Sequence, residues 1–174
     1  MTNMSTPSSW YDIVDFTGSY PPEAYICVKD ALNFSVETIH GPMNRNQEAV
    51  YSYMAKEGID LAEVIDRYEK GQVNRSVAKA IERNGDYKNL SRHISGRELC
   101  WGLRDFAWQQ WGLMADVVLD RWKIRETADI GRIVFNMIEH DLMQKQPTDR
   151  LEDFVNVYDF REALIGQFDI NSEK

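Results

Sequence analysis

The chain has 174 residues, 43% of them hydrophobic and 28% charged, with a net charge of −8 and a pI near 4.9. That length and composition describe a folded protein able to bury its own core without staples. The net acidity argues against the whole surface serving nucleic acid or anionic membrane, both of which it repels.

Residues 1–9, rich in Ser, Thr and Asn, are expected to be disordered, and Trp10 to Phe16 to form a short helix. Pro21-Pro22 announces a helix over about 22–35, with Tyr25, Cys27, Val28, Ala31 and Leu32 as its apolar stripe, and Gly41-Pro42 stops the chain. A second helix is predicted over about 47–56, ended by Gly58. Asp60 and Glu63 make a capping box for a third helix carrying Leu61, Val64, Ile65 and Tyr68, closed by Gly71. Asn74 caps a fourth, with Val77, Ala78 and Ile81, that ends before Gly85.

Ser95 and Glu98 form another capping box, opening a helix that Gly112 breaks or kinks. The next helix, about 113–122, presents Met114, Val117, Val118 and Trp122. Thr127 caps a longer one reaching about His140. Strand-favouring Phe154, Val155, Val157 and Tyr158 after the Pro147-Thr148-Asp149 turn predict a small β-hairpin over 142–158, the alternative being a short helix capped by Asp149. Asp159 and Glu162 cap a last helix through Phe168, and 171–174 form a frayed tail.

The chain resembles itself. Val64-Ile65-Asp66-Arg67-Tyr68 matches Val118-Leu119-Asp120-Arg121-Trp122 at an offset of 54. Val73, Arg75, Val77, Ile81 and Glu82 match Ile130, Arg132, Val134, Ile138 and Glu139 at an offset of 57. The expected fold is therefore mainly α: one internally duplicated helical domain over 10–170, with halves of about 20–90 and 95–168 and a helix-turn-helix-like pair in each. Asp66 with Arg75 and Asp120 with Arg132, or Arg67 with Glu82 and Arg121 with Glu139, are expected to clamp the two pairs.

Arg92-His93-Ile94-Ser95-Gly96-Arg97-Glu98-Leu99, Trp111-Gly112-Leu113-Met114-Ala115, Asp129 to Asn136, and Glu152-Asp153-Phe154 through Phe160 resemble an uncharacterised family of small proteins. It is described as a repeat protein and is typical of planctomycete and verrucomicrobial bacteria. The resemblance covers about 20–40 and 91–168, so residues 41–90 read as an insertion. It implies the fold and carries no catalytic residues.

Candidate chemistry is sparse. His40, His93 and His140 sit in no metal-binding spacing, and His140 beside Glu139 and Asp141 suits a helix C-terminus as it stands. Ser95 before Gly96 reads as a cap rather than a nucleophile. Glu152, Asp153 and Asp159 read as turn formers before cation ligands. Cys27 and Cys100 read as buried thiols in a reducing cytoplasm. No apolar run approaches the roughly 18 residues of a membrane span, and the polar N-terminus lacks a signal-peptide core.

The expectation is a cytoplasmic, non-enzymatic protein without a cofactor, an adaptor that binds another protein. The alternative is a nucleic-acid or ribonucleoprotein-associated factor with a helix-turn-helix or winged-helix-like element. Helix 113–122, helix 127–140 and the hairpin have that order, but the second of these helices carries Asp129, Glu139 and Asp141 against Arg132 alone. Residues 74–104 hold seven basic and three acidic side chains and make the better phosphate contact, with Arg75, Lys79, Arg83, Lys88, Arg92, His93 and Arg97 as its surface.

Overall fold

Pro22 opens the first helix, α1 (Pro22–His40), because its fixed φ and missing N–H suit a first turn. A computed structural model describes residues 19–165. The expectations for 1–9 and 10–16, and for the chain beyond 165, lie outside the described residues. The molecule is mainly helical: α1 is followed by α2 (Arg45–Glu57), α3 (Leu61–Glu69), α4 (Arg75–Asn84), α5 (Gly96–Trp111), α6 (Ala115–Arg121), α7 (Thr127–Glu139) and α8 (Phe160–Ile165). Short 3-10 turns lie at Tyr87–Leu90, Gly112–Met114 and Leu151–Phe154. No described residue is in a strand.

The contacts divide the described residues into two units, residues 19–35 with 94–165, and residues 36–93. The division differs from the expected halves of 20–90 and 95–168. Residues 41–90, expected to be an insertion, fall within the second unit.

That second unit is built from well-signalled helices. Asn44 and Gln47 cap α2 reciprocally, and Gly58 ends it in the left-handed conformation at φ 65°. Asp60 accepts the Glu63 N–H at 2.8 Å and Asn74 the Val77 N–H at 2.9 Å, fixing the starts of α3 and α4. α2 packs along α4. The core between them is Val50, Val64, Val77, Ala80, Ile81 and Leu90. The 3-10 turn after α4, unforeseen from sequence, is tied to α2 twice: Gln47 Nε2 donates to the Asn89 carbonyl at 3.0 Å, and Tyr51 Oη to the Leu90 carbonyl at 3.1 Å.

In the other unit, α5 is the central helix, touching α6, α7, α8 and the turn at 151–154. Ser95 and Glu98 form the expected capping box, and α5 ends at Gly112, φ 52°. α1 crosses it where Gly102 faces Ser35. A Cβ on Gly102 would lie 2.6 Å from Ser35 Cβ, so only glycine allows this approach. Phe34 and Phe106 extend the contact, their rings 5.8 Å apart.

Four expectations are corrected here. The hairpin over 142–158 is absent. Phe154 is instead buried in a 3-10 turn, its ring filling the space above two glycines: Cβ atoms on Gly96 and Gly131 would lie 2.6 and 2.8 Å from Phe154 atoms. The flanking backbone finds helical partners. Val157 N–H donates to Thr127 Oγ1 at 3.2 Å, and Tyr158 Oη to the Cys100 carbonyl at 2.6 Å. Asp149 does not cap this turn; Arg150 occupies the cap position, and Asp149 accepts from the Gln146 N–H. Thr127 is likewise no cap, since its hydroxyl receives Val157 and Glu126 stands at the cap of α7. The buried face of α6 is Ala115 and Leu119, rotated from the expected Met114 and Val117 face.

Candidate interaction surfaces

The expected clamps do not form. Asp66 pairs with Lys70 at 2.6 Å and Arg67 with Glu63 at 2.8 Å, each one turn along α3. Asp120 pairs with Arg125 at 2.7 Å, and Arg132 with Asp129 at 2.7 Å and Glu126 at 3.0 Å. A partner on the same helix or the adjoining turn is reached with less ordering of long side chains than one on a neighbouring helix. Arg75, Glu82, Arg121 and Glu139 enter no ion pair among the described residues.

The basic candidates separate by environment. Arg75, Lys79 and Arg83 are exposed on α4 at i, i+4 and i+8, opposite the buried Val77, Ala80 and Ile81. Lys88 is exposed in the following 3-10 turn. None of these four has an ion-pair partner among the described residues. Arg92 is no surface residue. It is 6% exposed, and its Nη2 donates to the Gly41 carbonyl at 2.6 Å. Its Nε and Nη1 have no hydrogen-bond partner, so this cation is buried at a cost. His93 is exposed, and its carbonyl lies 3.2 Å from His40 Nε2. Arg97 is exposed in the first turn of α5, in the other unit.

A cleft of about 430 Å³ in the first unit is lined by Ser19, Tyr20, Lys123, Arg125, Glu126 and Asp129. Its acid is fully engaged. Asp129 accepts from Tyr20 Oη at 2.6 Å, from the Arg125 and Glu126 N–H groups at 2.9 and 3.1 Å, and from Arg132 at 2.7 Å. Burial alone would raise its pKa, but these donors hold it below the ordinary carboxylate value. Burial, together with Asp129, pushes Tyr20 up to about 12. A carboxylate saturated in this way anchors the start of α7 and is a poor base at neutral pH.

Burial pushes Cys27 and Cys100 up to about 12, with Asp30 adding to the effect at Cys27. Neither thiol is an available nucleophile. No cluster of three or more metal-ligating side chains occurs among the described residues.

The surface feature that sequence reasoning missed is apolar. Leu113, Met114 and Val117 are 53%, 57% and 56% exposed. Across the 3-10 turn and first turn of α6, Leu113 and Met114 precede Val117 by four and three residues, the spacings of neighbours on a helix. Trp111, against Phe106 and Trp122 at 6.1 and 5.4 Å between ring centroids, sits just before them. The signal was present in the Ala115 and Leu119 spacing, which fits a buried face equally well.

These features belong to a mainly helical protein. No protein-family model, curated protein or solved structure matches the chain. No helix among the described residues is long and apolar enough to cross a membrane.

Proposed function

We propose that this protein is a non-enzymatic interaction module that binds another protein through the Leu113, Met114 and Val117 patch. The observation that carries the reading is that three large apolar side chains, each more than half exposed, fall within five consecutive residues. Isolated exposed apolar residues are ordinary, whereas a cluster suits an interface, and methionine adapts to varied partner surfaces. A cytoplasmic setting and membership of the family resembled in sequence belong to the same proposal.

The duplication is proposed on the second helix of each pair. Val77 and Val134 are both buried, while Arg75 with Arg132 and Glu82 with Glu139 are exposed. The first helices correspond less closely, since Val64 is buried and Val118 half-buried.

The test is a photo-crosslinking residue at Met114, compared with one at exposed Glu162, in native lysate. A discrete adduct at 114 that disappears in the Leu113→Ser/Val117→Ser variant is expected. Equal labelling at the two positions, or none at 114, would overturn the reading.

A second reading, nucleic-acid association, is favoured by one observation: Arg75, Lys79, Arg83 and Lys88 are exposed cations without carboxylate partners among the described residues of an acidic chain. The missing hairpin leaves α7 without the expected wing, so α4, rather than α7, carries this reading.

A further inference from the structure

We propose that the solvent face of α4 and the turn at 87–90 bind single-stranded nucleic acid, with phosphates on the basic stripe and a base stacked on Tyr87. The proposal deepens the nucleic-acid reading and rests on it.

Arg75, Lys79 and Arg83 recur every fourth residue, so they turn by only about 40° each time and span about 12 Å along one face of the helix. Lys88 continues the charge into the 3-10 turn. On α3, by contrast, Arg67 and Lys70 are taken up by Glu63 and Asp66. The acids near the stripe, Glu82 and Asp86, are exposed and make no ion pair among the described residues. Asp86 caps the Lys88 N–H at 3.0 Å.

Next to Lys88, Tyr87 is 42% exposed, and its ring meets Tyr68 at 71° with 6.5 Å between centroids. That contact holds the ring in place while leaving much of it in water. An acidic peptide would use the four cations and leave the exposed ring idle. A single strand uses both, with its backbone on the charges and an unstacked base on the aromatic face. A duplex keeps its bases paired and stacked, so it offers Tyr87 nothing comparable.

Fluorescence-anisotropy titration of the full chain with labelled single-stranded RNA, single-stranded DNA and a duplex, over about 50–200 mM salt, tests this. The single strands should bind more tightly than the duplex, with log K falling against log salt at a slope of about −3 for four phosphate contacts. Tyr87→Leu should weaken single-strand binding about 5- to 100-fold, and Lys79→Gln should flatten the salt slope by about 0.7. Far-UV circular dichroism confirms that the variants remain folded.

Unchanged single-strand affinity in Tyr87→Leu, or a duplex bound equally well, would overturn this proposal. If Arg75→Glu/Lys79→Glu/Arg83→Glu still abolished binding, the broader nucleic-acid reading would stand. No oligonucleotide binding at the lowest salt would remove both. Competition by poly-glutamate as strong as by an unlabelled single strand would overturn both in favour of an acidic protein partner.

Discussion

Asp129 shows how one buried side chain organises its neighbourhood. It is 7% exposed, and its two oxygens receive a phenol, two backbone N–H groups and a guanidinium. Charge-assisted hydrogen bonds of this kind contribute more than neutral ones. Asp129→Asn should cost about 2–3 kcal/mol at neutral pH, read as a lower urea midpoint. Because the folded pKa lies below the ordinary 3.8, the stabilisation is complete above that value and is lost as pH falls through the folded pKa. The gap between wild type and variant should therefore close in acid; a gap that stayed constant there would sink this account. Tyr20 has the opposite sign. Raised from 10.0 to about 12, it contributes stability that is full below pH 10 and lost as pH rises through its folded pKa.

Arg92 makes the complementary point at the same scale. In the sequence it belongs to a basic run, and its type suggests a surface. In the structure it is buried with a single side-chain hydrogen bond, to Gly41. The spacing of cations along a chain does not reveal which of them the packing encloses. Arg75, Lys79 and Arg83 could be placed on one exposed face from sequence, because Val77 and Ile81 marked the opposite face of the same helix.

Among the elements, most helix starts were legible and irregular segments were not. Asp60, Asn74 and Ser95 cap where expected, because a cap is a local bond between a side chain and a backbone N–H two or three residues on. The segment 142–158 misled because strand preference describes a fit to a pleated surface, and no partner strand is present among the described residues. Its aromatic residue follows long-range packing instead, settling over Gly96 and Gly131. Phe154→Ala should cost about 3–5 kcal/mol, with near-ultraviolet circular dichroism and thermal melting as readouts. A loss below about 1 kcal/mol would mean that the turn is a passive connector. α6 misled differently: in so short a helix, two opposed faces fit the apolar pattern almost equally.

For the whole molecule, the two units differ in charge. Residues 36–93 hold nine basic and nine acidic side chains, so the net −8 falls on the remainder. Within 36–93, Val50, Val64, Val77, Ala80, Ile81 and Leu90 form a core cluster. Val64→Ala should cost about 2 kcal/mol, and hydrogen exchange should show the loss of protection concentrated in α2, α3 and α4. Equal loss in α5 and α7 would show that the two units open as one.

The sequence by itself determined the helical class, most helix starts and the amphipathic faces of the longer helices, because caps and periodicity act over a few residues. The tertiary structure alone decided that residues 36–93 form a unit, that Arg92 is buried, that Asp129 is saturated, that Phe154 fills a glycine-lined gap, and that Leu113, Met114 and Val117 face water. Each depends on groups brought together from distant parts of the chain, where packing and the need to pair buried polar atoms outweigh local preference.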